Sequence, residues 1–153
     1  MILIHETGHF RVVVPTYPHV DRHDGGHLII HPHRRVVDRT ELTPEEAWDL
    51  IKLTMILGQA MAEGLNERGI DVGRINYQDN GNWGVFRSEG PVLHLHLYGR
   101  ARSARTQPYG QALHLPGPET GFYRHCRPLD VDDVAAIQAR IAVVSALPKY
   151  QGW

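Results

Sequence analysis

Eight consecutive residues are the most informative part of this sequence: Val92-Leu93-His94-Leu95-His96-Leu97-Tyr98-Gly99. Apolar residues and histidines alternate there with a period of two, which is typical of a β-strand, because residues i and i+2 lie on one face. We therefore expect His94 and His96 to project side by side, in line with Tyr98, while the three leucines face a core. Two adjacent imidazoles on a rigid strand can bind a metal or handle a phosphate.

Composition limits the class of protein. The chain has 153 residues, a length that suits one compact domain with a sizeable core. Its hydrophobic content of 42% and charged content of 22% are typical of a soluble globular protein. The formal net charge of -1 gives no overall basic field, so a nucleic-acid partner is not expected.

The single cysteine and the N-terminal residues indicate the compartment. Cys126 has no second cysteine to pair with, which suits a reducing environment. Residues 1–6 lack a basic region followed by a long apolar run, so we expect no secretory signal. No stretch approaches the roughly 20 apolar residues of a membrane span. A cytoplasmic location is therefore expected, with no membrane partner.

Turn residues and hydrophobic periodicity predict the other elements. Strands are expected at 10–14, 27–31, 75–78 and 92–98, with a short strand or an aromatic flap at 83–86. Thr43, Pro44 and Glu46 form a capping box that begins a first helix, which Gly69 would end. Asp130 begins a second helix that continues at helical spacing to Val144. Strands with hairpin-like neighbours favour an α+β fold with an antiparallel sheet and two main helices.

In these features the sequence resembles the histidine triad (HIT) superfamily of nucleotide hydrolases and transferases. The family hallmark is His-φ-His-φ-His-φ-φ, where φ is apolar, and residues 92–98 match it with Val92 in place of the first histidine. Three upstream stretches resemble the family in the same order: Gly26-His27-Leu28-Ile29-Ile30-His31-Pro32, Leu42-Thr43-Pro44-Glu45-Glu46, and Asn76-Tyr77 with Gly81-Asn82 ahead of Pro91. The resemblance covers roughly residues 3–100, and the segment from Trp83 to Gly90 is longer than usual.

The resemblance implies a single HIT-like domain over residues 1–153 and a homodimer. It implies that His94 is the nucleophile, which attacks the α-phosphorus of a dinucleoside polyphosphate or a nucleoside phosphoramidate and forms a nucleotidyl-histidine intermediate. An ordinary histidine pKa of about 6.5 leaves a neutral imidazole at pH 7. His96 would donate to a phosphoryl or leaving-group oxygen, and no metal or other cofactor is required. The missing first histidine usually orients the others, so Val92 bears on rate and protonation.

Charge that develops on the phosphoryl oxygens needs further donors. The candidate substrate-binding residues are Gln78, Asn80, Asn82, Ser88, Tyr98 and Arg100. The amides are equally compatible with a polar turn, since Asp79 to Asn82 is good turn chemistry. Arg100, with Arg102 and Arg105, could hold a polyphosphate tail or form a solvated loop. The aromatic residue at position 153 is a candidate dimer contact, although chain ends are usually mobile.

Two other classes of function stay open at this point. A metalloenzyme could use His94 and His96 with one distant ligand, and His19, His23 and His27 recur every four residues, which on a helix would form a metal-binding face. Pro18 and the glycines at 25–26 argue against a helix there. The replacement at Val92 motivates the second alternative, a module that binds a nucleotide without turning it over.

Overall fold

The computed structural model describes residues 1–79 and 81–152, and over these residues the chain forms five strands and two α-helices. The strands are β1 (Ile2–Glu6), β2 (Phe10–Val14), β3 (His27–Pro32), β4 (Val72–Gln78) and β5 (Leu95–Ala101), and the helices are α1 (Pro44–Glu67) and α2 (Val131–Ser145). They build one sheet in the order β1-β2-β3-β5-β4, antiparallel throughout. This confirms the α+β prediction. Asn80, a candidate phosphate contact, and Trp153, a candidate dimer contact, lie outside the described residues.

β3 extends one residue beyond its predicted end, to Pro32, and β4 begins earlier than predicted, at Val72. β1 was not predicted, because Ile2 and Leu3 are exposed and only Ile4 is buried, so this edge strand shows little alternation. β5 begins at Leu95 rather than at residue 92. Its last partner pair with β3 is Leu95 with Ile30, and the backbone N–H of Leu93 donates instead to the carbonyl of Val36 (2.7 Å). The short strand considered at 83–86 does not form, and a 3-10 turn, Asn82–Gly84, lies there instead.

The predicted capping box forms at α1, and a second capping box forms at α2. Thr43 Oγ1 accepts from the backbone N–H of Glu46 (3.2 Å), and the Glu46 carboxylate accepts from the N–H of Thr43 (2.8 Å). Asp130 and Asp133 satisfy the start of α2 in the same reciprocal way. Each cap contributes roughly 1 kcal/mol. Within the described residues, no helix is long and apolar enough to cross a membrane.

Both helices pack against one face of the sheet. Leu57, Met61 and Leu65 of α1 are fully buried with Ile137 of α2, in the same cluster as the leucines of β5. Gly64 allows the two helix backbones to approach, since a Cβ there would lie 3.0 Å from the nitrogen of Ile137. The opposite face of the sheet therefore has to be covered by loops, and it carries the histidines.

The loop between β2 and β3 is held against that histidine face. The turn at Gly25 (φ 125°) meets the backbone of Gly99 so closely that a side chain on either glycine would collide with the other strand. Arg22 anchors the same loop to α2 through a bidentate pair with the fully buried Asp133 (2.5 and 2.8 Å). These contacts fix His19 of the same loop beside β5.

Candidate active site

The antiparallel register gathers side chains from three strands on the face opposite the helices. Across β3 and β5, Tyr98 pairs with His27, and His96 pairs with Ile29. His96 is also paired with Gln78 of β4. Because the alternate leucines of β5 belong to the core, the histidines and Tyr98 point away from the helices, as the alternation predicted.

A cavity of about 270 Å³ lies over this face. Its lining includes His94, His96 and Tyr98 from the β5 region, His19 from the loop before β3, Asn82, Trp83 and Arg87 from the segment after β4, and Leu115 from the long connection to α2. Four of the residues selected from the sequence thus line one cavity: His94, His96, Asn82 and Tyr98.

Gln78, Ser88 and Arg100, the other selected residues that the structure describes, lie outside the lining. The guanidinium of Arg100 is buried, and it donates to Asn76 Oδ1 (2.8 Å) and to the carbonyls of Pro108 (2.8 Å) and Gln111 (3.0 Å), so it holds the chain after β5. Gln78 is the strand neighbour of His96, and its Oε1 is buried with no hydrogen-bond partner among the described residues. Ser88 is exposed in the turn before residue 91.

The backbone fixes the tautomer of His94. Its Nδ1 lies 2.7 Å from the carbonyl oxygen of Val92. A carbonyl can only accept, so Nδ1 carries the proton and donates it. The lone pair of the neutral ring is therefore on Nε2, which is the arrangement a nucleophilic imidazole needs.

A chain of hydrogen bonds fixes the tautomer of His96. The backbone N–H of His19 donates to Nδ1 of His27 (3.1 Å), so the proton of neutral His27 is on Nε2. That Nε2–H donates to Nδ1 of His96 (2.8 Å), which leaves the proton of His96 on its own Nε2. Burial lowers the pKa of His96 to about 3 and places that of His27 well below its usual range, so both rings are neutral at pH 7.

His19 completes an aromatic group that the sequence did not identify as one site. Its Nδ1 is 2.8 Å from the hydroxyl of Tyr98, and its ring lies 5.1 Å from Trp83 and 5.0 Å from Tyr123 between ring centroids. Burial lowers the pKa of His19 to about 4. The pairing of His27 with Tyr98 helps to bring the end of this loop to the cavity, and a four-residue histidine spacing does not show that register.

The ring nitrogens of His19, His27 and His96 lie within 4.8 Å of one another, close enough to raise the question of a metal ion. The hydrogen bonds argue against His27 as a ligand. Binding a metal through Nε2 would require the proton on Nδ1, where the N–H of His19 already donates. His23, the third member of the spacing seen in the sequence, is exposed in the 3-10 turn Arg22–Asp24 and is not part of this group. The donor set therefore does not fit a metal centre.

Two further residues beside the catalytic candidates were missed in the sequence. His31 of β3 stacks on His94, with 6.0 Å between ring centroids, and burial lowers its pKa to about 4. Arg87 lines the cavity from the segment between Trp83 and Gly90. The alternation of side chains along β3 could have identified His31. Arg87 lies in a turn, where hydrophobic periodicity gives no signal.

No family model matches the sequence, and no curated protein matches it. Solved structures are similar in fold. A Zn-bound histidine triad family protein from Mycobacterium smegmatis is 19% identical over 94% of this chain and 86% of that chain, with a TM-score of 0.60. A histidine triad protein from Sinorhizobium meliloti 1021 is 24% identical over 93% and 87%, with a TM-score of 0.58. A uridylyltransferase is 22% identical over 92% of this chain and 41% of its own, with a TM-score of 0.54.

These similarities extend over more than nine-tenths of the chain and include the five-stranded antiparallel sheet with its two helices. They agree with the fold that the sequence resemblance implied. The chain has the fold of the histidine triad superfamily.

Proposed function

We propose that this protein is a nucleotide hydrolase or nucleotidyl transferase that attacks the α-phosphate of a nucleoside phosphoanhydride or phosphoramidate through His94. The observation that carries the proposal is the 2.7 Å contact between Nδ1 of His94 and the carbonyl of Val92, which leaves the Nε2 lone pair available. Because a backbone carbonyl orients the ring, the histidine side chain absent at position 92 is not needed for that task.

The chemistry proceeds in two displacements. Nε2 of His94 bonds to the α-phosphorus while the bond to the leaving group breaks, and the bonding pair goes to the leaving atom. The Nε2–H of His96, whose ring centroid is 4.7 Å from that of His94, donates to that atom or to a phosphoryl oxygen. A water oxygen then bonds to phosphorus, the N–P bond breaks, and the lone pair returns to His94. Where His96 gave its proton away, the water restores it.

Steady-state release of AMP from adenosine 5′-phosphoramidate and from a diadenosine polyphosphate tests the proposal. The wild type should turn over at least one of them, and His94→Ala should turn over neither. His33→Ala, which removes an exposed histidine away from the cavity, is the matched control and should keep full activity. Wild-type protein that binds AMP without turnover would favour the non-catalytic binding module. Turnover by His94→Ala would overturn the role of His94.

We further propose that the protein forms a homodimer through α1 and the adjacent edge strand β4. Ile51 and Met55 of α1 and Tyr77 of β4 are 50%, 41% and 47% exposed, which is unusual for large apolar side chains that lie next to a sheet edge. A second copy would cover both features at once. Light scattering should give a dimer mass for the wild type and a monomer for Met55→Glu, and a monomeric wild type would contradict the proposal.

A further inference from the structure

One residue in the lining of the cavity carries a permanent charge. Burial lowers the pKa values of His19 and His96 to about 4 and about 3, and it raises that of Tyr98, so these three lining groups are neutral at pH 7. Within residues 1–79 and 81–152, no carboxylate lines the cavity, and Arg87 is the one residue of its lining that is always charged. A cavity of this kind favours an anion.

A hydrogen-bonded turn positions Arg87. The N–H of Arg87 donates to the carbonyl of Gly84 (3.1 Å), and the N–H of Gly90 donates to the carbonyl of Arg87 (3.0 Å). Arg35 donates to the carbonyl of Glu89 and ties the turn to the loop after β3. Across the described part of the chain, the Arg87 guanidinium has no ion pair or hydrogen bond, although it interacts electrostatically with the exposed carboxylate of Glu89. Its five N–H donors are therefore available to a ligand.

The arginines that follow β5 do not supply this charge. Arg100 is bound to carbonyls of the chain after β5, and Arg102 lies over the ring of Tyr109 at 5.9 Å. Arg105 lines a separate cavity on another part of the surface. Arg87 is therefore better placed to bind a polyphosphate than the arginines that follow β5, which were considered for this role in the sequence.

We propose that Arg87 binds the phosphate of the leaving group, so that the protein prefers nucleoside polyphosphates and dinucleoside polyphosphates to phosphoramidates. This proposal rests on the proposed function. When the P–O bond breaks, the bonding pair passes to the bridging oxygen, and the departing phosphate gains negative charge that a guanidinium stabilises. An amine leaving group instead takes the proton of His96 and departs neutral, so it gains nothing from Arg87.

The test compares kcat/KM for a diadenosine polyphosphate and for adenosine 5′-phosphoramidate in four proteins: wild type, Arg87→Ala, Arg87→Lys and Arg105→Ala. Arg87→Ala should lose roughly 10- to 100-fold on the polyphosphate and less than about threefold on the phosphoramidate, since a hydrogen bond to a charged group contributes about that much. Arg87→Lys should recover part of the loss. Arg105→Ala removes one charge elsewhere and should match the wild type. Equal losses on both substrates, or no loss, would overturn the proposal.

A binding measurement separates this proposal from the proposed function. By calorimetry, wild type should bind ADP more tightly than AMP, because the β-phosphate occupies the leaving-group position, and Arg87→Ala should remove that difference while AMP affinity stays within about threefold. If the wild type turns over neither substrate but this difference appears and depends on Arg87, the catalytic role of His94 fails while the phosphate-binding role holds. Equal affinity of the wild type for ADP and AMP would overturn the role of Arg87.

Discussion

The cavity has a strand-borne side and a loop-borne side, and they are built by different means. On the strand side, His27 and His96 are held by sheet register, kept neutral by burial and fixed in tautomer by hydrogen bonds. On the loop side, Trp83 and Arg87 are exposed, lie in turns and contribute aromatic surface and permanent charge. Under the proposed function, the strands would set the protonation of the catalytic histidines, and the loop would select the substrate.

Removal of the proposed nucleophile on the strand side should have the largest effect on the rate. We expect His94→Ala to lower kcat by roughly four orders of magnitude, as losses of covalent nucleophiles usually do. The side chain is only half-buried, so the free energy of unfolding should change by less than about 1 kcal/mol. Rate measurements and chemical unfolding on one preparation would check both, and a large loss of stability would make the rate uninformative.

A second variant tests whether the strand side sets protonation. His27→Ala removes the donor to Nδ1 of His96, and we expect kcat to fall by roughly 10- to 100-fold, as for other orienting partners. His27→Gln, whose amide N–H can replace that donor, should recover part of the rate. If the role of His27 were purely structural, kcat of each variant would follow its free energy of unfolding. The pH profile of kcat would then stay unchanged.

The buried histidines also predict how stability depends on pH. His19 and His31 have pKa values of about 4 and His96 about 3, lowered by burial, whereas unfolded histidine titrates near 6.5. Between about pH 4 and 6.5 the unfolded chain binds more protons than the folded chain, so the free energy of unfolding rises with pH through this window. The stabilising contribution of the neutral histidines is complete above it.

We therefore expect Tm to fall by several degrees from about pH 7 to about pH 5. Carboxylates such as Glu46, whose pKa is lowered from 4.5 to about 2 mainly by its hydrogen bond from Arg34, lose their contribution only below about pH 4.5 and do not affect this comparison. His31→Gln should show a smaller fall. An unchanged Tm over this range would mean that the histidine face is more solvated than its burial indicates.

The smallest effects should come from the polar residues selected in the sequence on the loop side. Asn82 lines the cavity and Ser88 does not, so Asn82→Ala should lower kcat/KM by roughly three- to tenfold and Ser88→Ala by less than about twofold. The two alanine variants control for each other, since both residues are exposed in the same segment. The opposite order would place the phosphate nearer to residue 88.

The sequence predicts more of the strand side of the cavity than of the loop side, for physical reasons. The alternation around His96 and the capping box at Thr43 are local patterns with a single structural solution, and the structure confirms both. Edge strand β1 was missed because an edge buries few side chains. Arg87 was not selected, and the position of His19 beside Tyr98 was not predicted, because loop positions depend on which strands pair, and the local sequence does not show that pairing.

The central claim is that His94 carries the nucleotide as a covalent intermediate. The most direct measurement is intact mass and peptide mapping after incubation with adenosine 5′-phosphoramidate and a diadenosine polyphosphate, with a quench that avoids acid because phosphorus–nitrogen bonds are acid-labile. We predict an added AMP moiety on the peptide that contains His94, absent in His94→Ala and retained in His33→Ala. An adduct on another residue, or turnover without any adduct, would contradict the account.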